Sequence, residues 1–227
     1  MATLGKSTLV LHGQYNLTGS LDQSDMQRPV DMLDSTVYGL DSKIYVPGLK
    51  DGSLNVGGLA DPTATGIDAI LDGSYGSQGV AVTYALGTTV GAYAYLMSSA
   101  LAEYAHDASV TGLVRISGSY KADQDGAESG TLIFPVTTDT ASGEGTGHDR
   151  GAGNTTSGGA VAHLHVTAAS GTTPTLDVLV EMDDNASFTS ATTLITFAQA
   201  TAATSERVEV ATSAERYIRI SYTIGGT

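Results

Sequence analysis

The sequence predicts an all-β chain with one short helix, and three observations carry that reading. Thr and Gly are abundant, at 30 and 28 of 227 residues, and Ser is frequent. Short Val, Ile, Leu and Tyr runs recur between turn signals, as in chains built of many short strands. Where a run is long enough to show a period, that period is two: Val114, Ile116, Gly118 and Tyr120 alternate with Leu113, Arg115, Ser117 and Ser119, so one sheet face is apolar and the other polar. At 41% hydrophobic and 15% charged, with apolar residues scattered in short runs, the composition fits neither a disordered acidic tail nor a membrane span. The length allows one large β domain or two smaller ones.

The elements follow in order. Lys6 to His12 alternates around Leu9 and Leu11, and Asn16 to Asp34 is a long polar stretch. Lys43 to Pro47 and Leu49 to Leu59 read as a loop and a strand, punctuated by Gly48 and Gly52. The helix is expected from Asp61 as N-cap, with Pro62 at its first position, Ile67, Ile70 and Leu71 on one face, and an end by Gly73. Strands are then expected at Val80–Leu86, Tyr93–Met97, Ala100–Ala105, Leu113–Tyr120 and Thr131–Val136. From Thr137 to Gly159 large apolar side chains almost vanish, which reads as a linker and places a domain boundary near Gly145: a first domain over 1–145 and a second, smaller one over 146–227. The second holds strand candidates at Ala160–Ala168, Thr175–Met182, Leu194–Ala198, Arg207–Val210 and Tyr217–Ile224. The last of these has a hairpin signal, Gly225-Gly226, but no returning strand. Either the natural chain continues or the partner strand comes from elsewhere in the fold.

With 24 acidic against 10 basic side chains the formal net charge is -14, which argues against a phosphate-gripping partner. Divided at Gly145, the excess is -10 before and -4 after, from 16 acidic and 6 basic residues against 8 and 4. There is no cysteine, hence no disulfide and no thiolate ligand or nucleophile. Met1 to Gly13 lacks an apolar block of signal-peptide length.

The chemistry-bearing patterns are weak. His163 and His165 share a strand face and could chelate, but Val161, Leu164 and Val166 around them suggest ordinary alternation with the histidines on the wetter face. Asp123-Gln-Asp-Gly-Ala-Glu128 starts like a calcium loop yet lacks the later ligands, and Asp-Gly suits a hairpin turn. His106-Asp107 supplies a base and an orienter without a nucleophile elbow. The glycines of Gly143 to Gly153 lack the strand, helix and Lys of a phosphate loop. Asn16-Leu-Thr18, Asn154-Thr-Thr156 and Asn185-Ala-Ser187 fit the glycosylation pattern only by chance. Tyr93, Tyr95 and Tyr104 read as half-buried sheet residues before sugar platforms. No enzyme, cofactor or metal site is expected.

One long stretch carries a resemblance. Asp34-Ser-Thr-Val-Tyr-Gly-Leu-Asp-Ser-Lys-Ile-Tyr-Val-Pro-Gly-Leu-Lys-Asp-Gly-Ser-Leu-Asn-Val-Gly-Gly-Leu-Ala-Asp61 is similar to the opening signature of major tail tube proteins of long, non-contractile-tailed bacteriophages (siphophages): an acidic-Thr-hydrophobic-Gly loop, a Pro-Gly-Leu lead into a strand, then a short helix. Val161-Ala-His-Leu-His-Val-Thr, Pro174 to Asn185 and Glu215-Arg-Tyr-Ile-Arg-Ile resemble the small β-sandwich appended to some of these subunits. The resemblance implies a tail-tube-type β-sandwich or barrel followed by a second β-sandwich, and a virion protein, assembled in the host cytoplasm, that forms stacked hexameric rings. It also implies tape measure, tail terminator and distal tail proteins as partners, DNA that passes through the lumen without specific binding, and no membrane. Under it, the loop Asp34 to Gly48, with Tyr38, Gly39, Ile44, Tyr45 and Pro47, is assigned to contact between rings, and the second domain to an outward, dispensable decoration. The competing reading is a capsid decoration protein or a β-sandwich binding cell-surface glycan.

Overall fold

The computed structural model describes residues 5–151 and 158–226; the Asn154-Thr-Thr156 pattern lies outside them. The strands are β1 (Leu9–His12), β2 (Tyr15–Asn16), β3 (Leu21–Gln27), β4 (Val30–Asp34), β5 (Tyr45–Lys50) and β6 (Ser53–Leu59). After the helix α1 (Ile67–Ser74) come β7 (Val80–Ala85), β8 (Tyr93–Asp107), β9 (Arg115–Ala122), β10 (Glu128–Thr131), β11 (Gly143–Glu144) and β12 (His148–Asp149). The chain closes with β13 (Ala160–Val166), β14 (Thr175–Asp183), β15 (Thr192–Thr196), β16 (Thr204–Val210) and β17 (Tyr217–Gly225). The protein is all-β with one α-helix among the described residues, as the sequence predicts. That helix is not long enough to cross a membrane.

Packing divides the chain into two compact bodies, one made of residues up to 18, 81–96 and 129 onward, the other of 19–80 and 97–128. β8 contributes Tyr93 to Leu96 to the former and Met97 to Asp107 to the latter.

In the body containing the helix, the later part of β8 pairs with β9, β9 with β6, and β6 with β3, all antiparallel. Leu54, Val56, Leu101, Ile116 and Tyr120 point from this sheet into a core closed by Ile67 and Leu71 of α1. Each such side chain taken fully from water contributes roughly 1.5–3 kcal/mol. Gly118 lies where a Cβ would approach the sheet side chains Leu101 Cδ1 and Val56 Cγ2 at 3.3 and 3.4 Å, and Leu71 Cδ1 of the helix at an ordinary 3.7 Å. The helix starts later than expected. Asp61 takes the Thr63 N–H on its own side chain at 3.1 Å, a turn precedes Gly66, and Gly66 is the N-cap, because Thr63, Thr65 and Gly66 are poor helix formers. The polar stretch Asn16–Asp34 holds β3 and β4: β3 is the edge of its sheet and mostly exposed, so it shows no apolar period. Asp125 and Gly126 do form a left-handed turn, with φ of 52° and 69°. It is not a hairpin turn, because β9 is flanked by β6 and β8 and β10 pairs with β8.

In the other body, β2, β1, β7 and the start of β8 form one sheet, with Leu9, Leu11, Ala85 and Ala94 buried against Leu132. A sandwich follows. One layer is β15-β14-β17 with β11 and β12 on the free side of β17; the other is β13-β16. Val178, Val180, Met182, Ile195, Phe197 and Ile220 fill the space between them, with Ala160, Ala162, Leu164, Val208 and Val210 packed against that cluster. The stretch read as a linker thus supplies strands: Gly143 pairs with Tyr222 and His148 with Ile218, while Ile133 and Phe134 pack on the sandwich core. Its two-residue strands are too short and too rich in glycine to show a period. They also flank β17, which is central and has β14 on its other side, so the partner strand does come from elsewhere in the fold. Arg219 binds this arrangement across three strands, donating to Glu144 at 2.6 Å and Glu181 at 2.8 Å while lying over the Phe188 ring at 4.5 Å.

Candidate functional site

β4 and β5 form a two-stranded sheet of their own, with Asp34 opposite Tyr45, Leu33 opposite Val46 and Met32 opposite Pro47, and a bulge between Val30 and Met32. A two-stranded ribbon alone is marginal in water, and among the described residues no strand pairs with either of its outer edges. Local bonds hold its end. Thr36 N–H donates to Asp34 Oδ1 at 2.9 Å, Ile44 N–H to Thr36 Oγ1 at 3.0 Å, and Ser35 N–H to the Ile44 carbonyl at 2.9 Å. The Thr36 donors, and then Lys43 at 3.8 Å, hold the Asp34 carboxyl below its ordinary range. Gly39, at φ 92°, allows the reversal at the tip. Gly48 lies where a Cβ would meet Asp31 Cβ at 3.2 Å across the ribbon.

The expected loop Asp34–Gly48 is therefore the outer half of a hairpin: only residues 35–44 are loop, and Tyr45, Pro47 and Gly48 belong to a strand that begins earlier than expected. Of the expected contact residues, Asp34 and Tyr45 are brought together as a register pair, while Tyr38 stands free near the tip. The side chains of Ile44 and Tyr45 are about half exposed at 46% and 47%, although the Ile44 backbone is fixed. The structure adds residues that the sequence reading passed over: Met32, Leu33, Val37, Leu40, Val46 and Leu49 are also exposed, Leu33 at 60% and Leu49 at 80%. In register, Met32, Pro47 and Tyr45 lie on one face of the ribbon and Leu33 and Val46 on the other, so both faces are apolar. The signal was present, since a solvated hairpin alternates apolar with polar, and here Met32-Leu33 and Tyr45-Val46 break that alternation.

The other chemical candidates resolve into structural contacts. The partner of His106 is Asp68 of α1, not Asp107, and Tyr104 donates to the same Asp68 Oδ1 at 2.8 Å. Burial, then the charge and bond of Asp68, push the Tyr104 hydroxyl pKa up. The cluster ties α1 to β8. Tyr93 and Tyr95 stack edge-to-face at 5.2 Å, apart from Tyr104. His163 and His165 are largely covered and meet Thr83 of β7. Among the described residues no group of three or more His, Cys, Asp or Glu side chains is placed to hold a metal.

No family model matches the chain, and no curated protein matches it. Among solved structures it is similar to the SPP1 tail tube, at 16% identity over 59% of this chain and 81% of that one, with a TM-score of 0.49. It is similar to a chain of the native gene transfer agent virion at 11% identity, over 58% of this chain and 99% of that one, TM-score 0.46. It is also similar to the SPP1 Dit protein, described as a hub of the adsorption apparatus, at 10% identity over 96% of both chains, TM-score 0.39. At these values the likeness is one of coarse strand arrangement, and any functional reading has to stand on the hairpin itself.

Proposed function

We propose that the chain is a structural subunit of a phage tail tube that assembles with copies of itself through the β4–β5 hairpin. The observation that carries this reading is the hairpin's composition: an otherwise unsupported two-stranded ribbon, apolar on both faces and open on both edges. Such a ribbon is stable when covered, and covering both faces takes two surfaces, as when it inserts between a neighbour in its own ring and a copy in the next ring. Asp34, Tyr38, Gly39, Ile44, Tyr45, Pro47 and Gly48 are the inter-ring contact in this reading, with Met32, Leu33 and Val46 extending it. Each large apolar side chain buried there contributes on the order of 1.5–3 kcal/mol before the ordering of the tip is subtracted. Repetition around a closed ring makes the joint cooperative. Tape measure, terminator and distal tail proteins would cap and fill the tube, and the acidic chain would let DNA pass unbound.

Negative-stain microscopy of the purified protein tests the reading: annuli or tubes are the expected result, and isolated particles at all concentrations favour a decoration or glycan-binding module instead. The double variant Ile44→Ser, Tyr45→Ser should remain folded, with thermal stability within a few degrees of wild type because both side chains are surface groups. It should form no long tubes. Tubes as abundant as wild type would place the ring contact elsewhere.

A further inference from the structure

His163 and His165 stand on β13, on the face turned away from the sandwich core, and a third histidine, His12, ends β1 and is 2% exposed. His165 Nδ1 lies 2.7 Å from the Gly13 carbonyl oxygen, an atom that only accepts, so Nδ1 carries the proton. In the neutral ring Nε2 is then an acceptor, and the Thr83 hydroxyl 2.8 Å away donates to it. With its proton committed, Thr83 Oγ1 accepts from His163 Nδ1–H at 3.2 Å, which leaves His163 Nε2 as a buried lone pair with no hydrogen-bond partner. The chain runs one way, His163 to Thr83 to His165 to Gly13, and it needs both rings neutral and in one tautomer. A proton on either Nε2 spoils it: on His165 it faces the Thr83 proton, and on His163 it has no acceptor. We propose that this chain is an acid-labile latch that holds the β13–β16 layer of the sandwich on the β1–β7 sheet at neutral pH and lets it go on acidification.

The charges around the latch favour release. From β16, Arg207 stands opposite His163 in register and repels a protonated ring, with its own partner Glu209 at 3.0 Å. From β1, His12 is the group that His165 acts on, and the two rings on β13 lie 5.9 Å apart. β7 contributes the Thr83 hydroxyl and the Val82 backbone; the latter favours protonation of His163 but is outweighed by burial. Burial, and then His165, lower His163 to about 3 and His12 to about 4, and burial lowers His165. The sign follows: the released rings take up protons below their ordinary 6.5 while the latched ones do not, so the latch is at full strength above that pH and weakens as pH falls toward the depressed values. For His163 alone the closed-to-open ratio should drop about a hundredfold by about pH 4.5.

The full chain has no cysteine, so Val161→Cys, two residues from His163 on the same strand face, makes a single reporter. Its labelling by 4,4′-dithiodipyridine, normalised to the unfolded chain at each pH, should be protected at neutral pH and should lose at least about a hundredfold of that protection by about pH 4.5. In a His163→Asn background, which keeps a donor and cannot titrate, the loss should be at least about tenfold smaller. Protection unchanged with pH, or lost equally in the Asn background, overturns the proposal. Imidazole ¹⁵N shifts of the unaltered chain give a second readout that does not depend on either variant folding. Both rings should be Nδ1–H tautomers at neutral pH, and their protonation should coincide with loss of the native Gly13 and Thr83 amide signals; a ring that protonates while those signals persist overturns it too.

Discussion

Gly118 shows how narrow the tolerance of a single position can be. A methyl there would meet Leu101 and Val56 at 3.3–3.4 Å, a contact the ends of two flexible side chains can relieve, and alanine would remove the entropic weakness of glycine in a strand. Gly118→Ala should therefore be nearly neutral, whereas Gly118→Val drives branched carbons into Leu71 and should cost about 1–3 kcal/mol. The urea midpoint should shift for Val alone, with unchanged slope. Asp149 makes a pH-dependent contribution of known sign. Arg216 donates to both of its oxygens, at 2.9 and 2.8 Å, and with the Gly151 N–H lowers the carboxyl from 3.8 to about 2. A depressed carboxylate stabilises the fold above its ordinary value and loses that effect as pH falls from 3.8 toward 2. The side-chain ¹³C signal of Asp149 should titrate near the lower value in the folded protein, and should move toward the ordinary one in Arg216→Gln, where the Gly151 N–H still holds it down.

At the scale of elements, what was legible depended on burial of one face. β9 was readable because Ile116, Gly118 and Tyr120 turn to the core while Arg115, Ser117 and Lys121 do not. β3 and β4 were not readable, because an edge strand and a ribbon exposed on both faces have no inside to encode. The short strands β11 and β12 were lost among glycines for a related reason: they cover one side of β17 with backbone, and backbone leaves no pattern in side chains. The face of β13 that carries His163 and His165 differs from the wetter face that alternation suggests. Alternation separates two faces but does not tell water from another layer, and here the second face meets Thr83. For the candidate site, the run Asp34–Gly48 could be singled out by its apolar content, while the pairing that makes it a ribbon, and so brings Met32 and Leu33 beside Pro47 and Val46, is a property of the fold.

At the scale of the whole molecule the charge matters most, and its arrangement more than its sum. Among the described residues, the basic side chains Lys43, Arg115, Lys121, Arg207, Arg216 and Arg219 pair with carboxylates. Arg150 donates to the carbonyls of Ala214 and Glu215. Double-stranded DNA is held mainly through cations that release counterions from phosphate, and a protein making several such contacts shows a steep loss of affinity with salt. Here a phosphate would have to displace a carboxylate at each of these pairs and approach a chain of charge -14. Repulsion between two acidic polymers is strongest at low ionic strength, so low salt, which rescues weak DNA binders, should give no rescue. Duplex DNA should therefore migrate unretarded in the presence of the purified protein from about 20 mM salt upward, a range in which the screening length shrinks several-fold. Retardation at the low end that fades with a slope of several phosphate contacts would reveal a basic track and would contradict the proposal that the acidic chain lets DNA pass unbound.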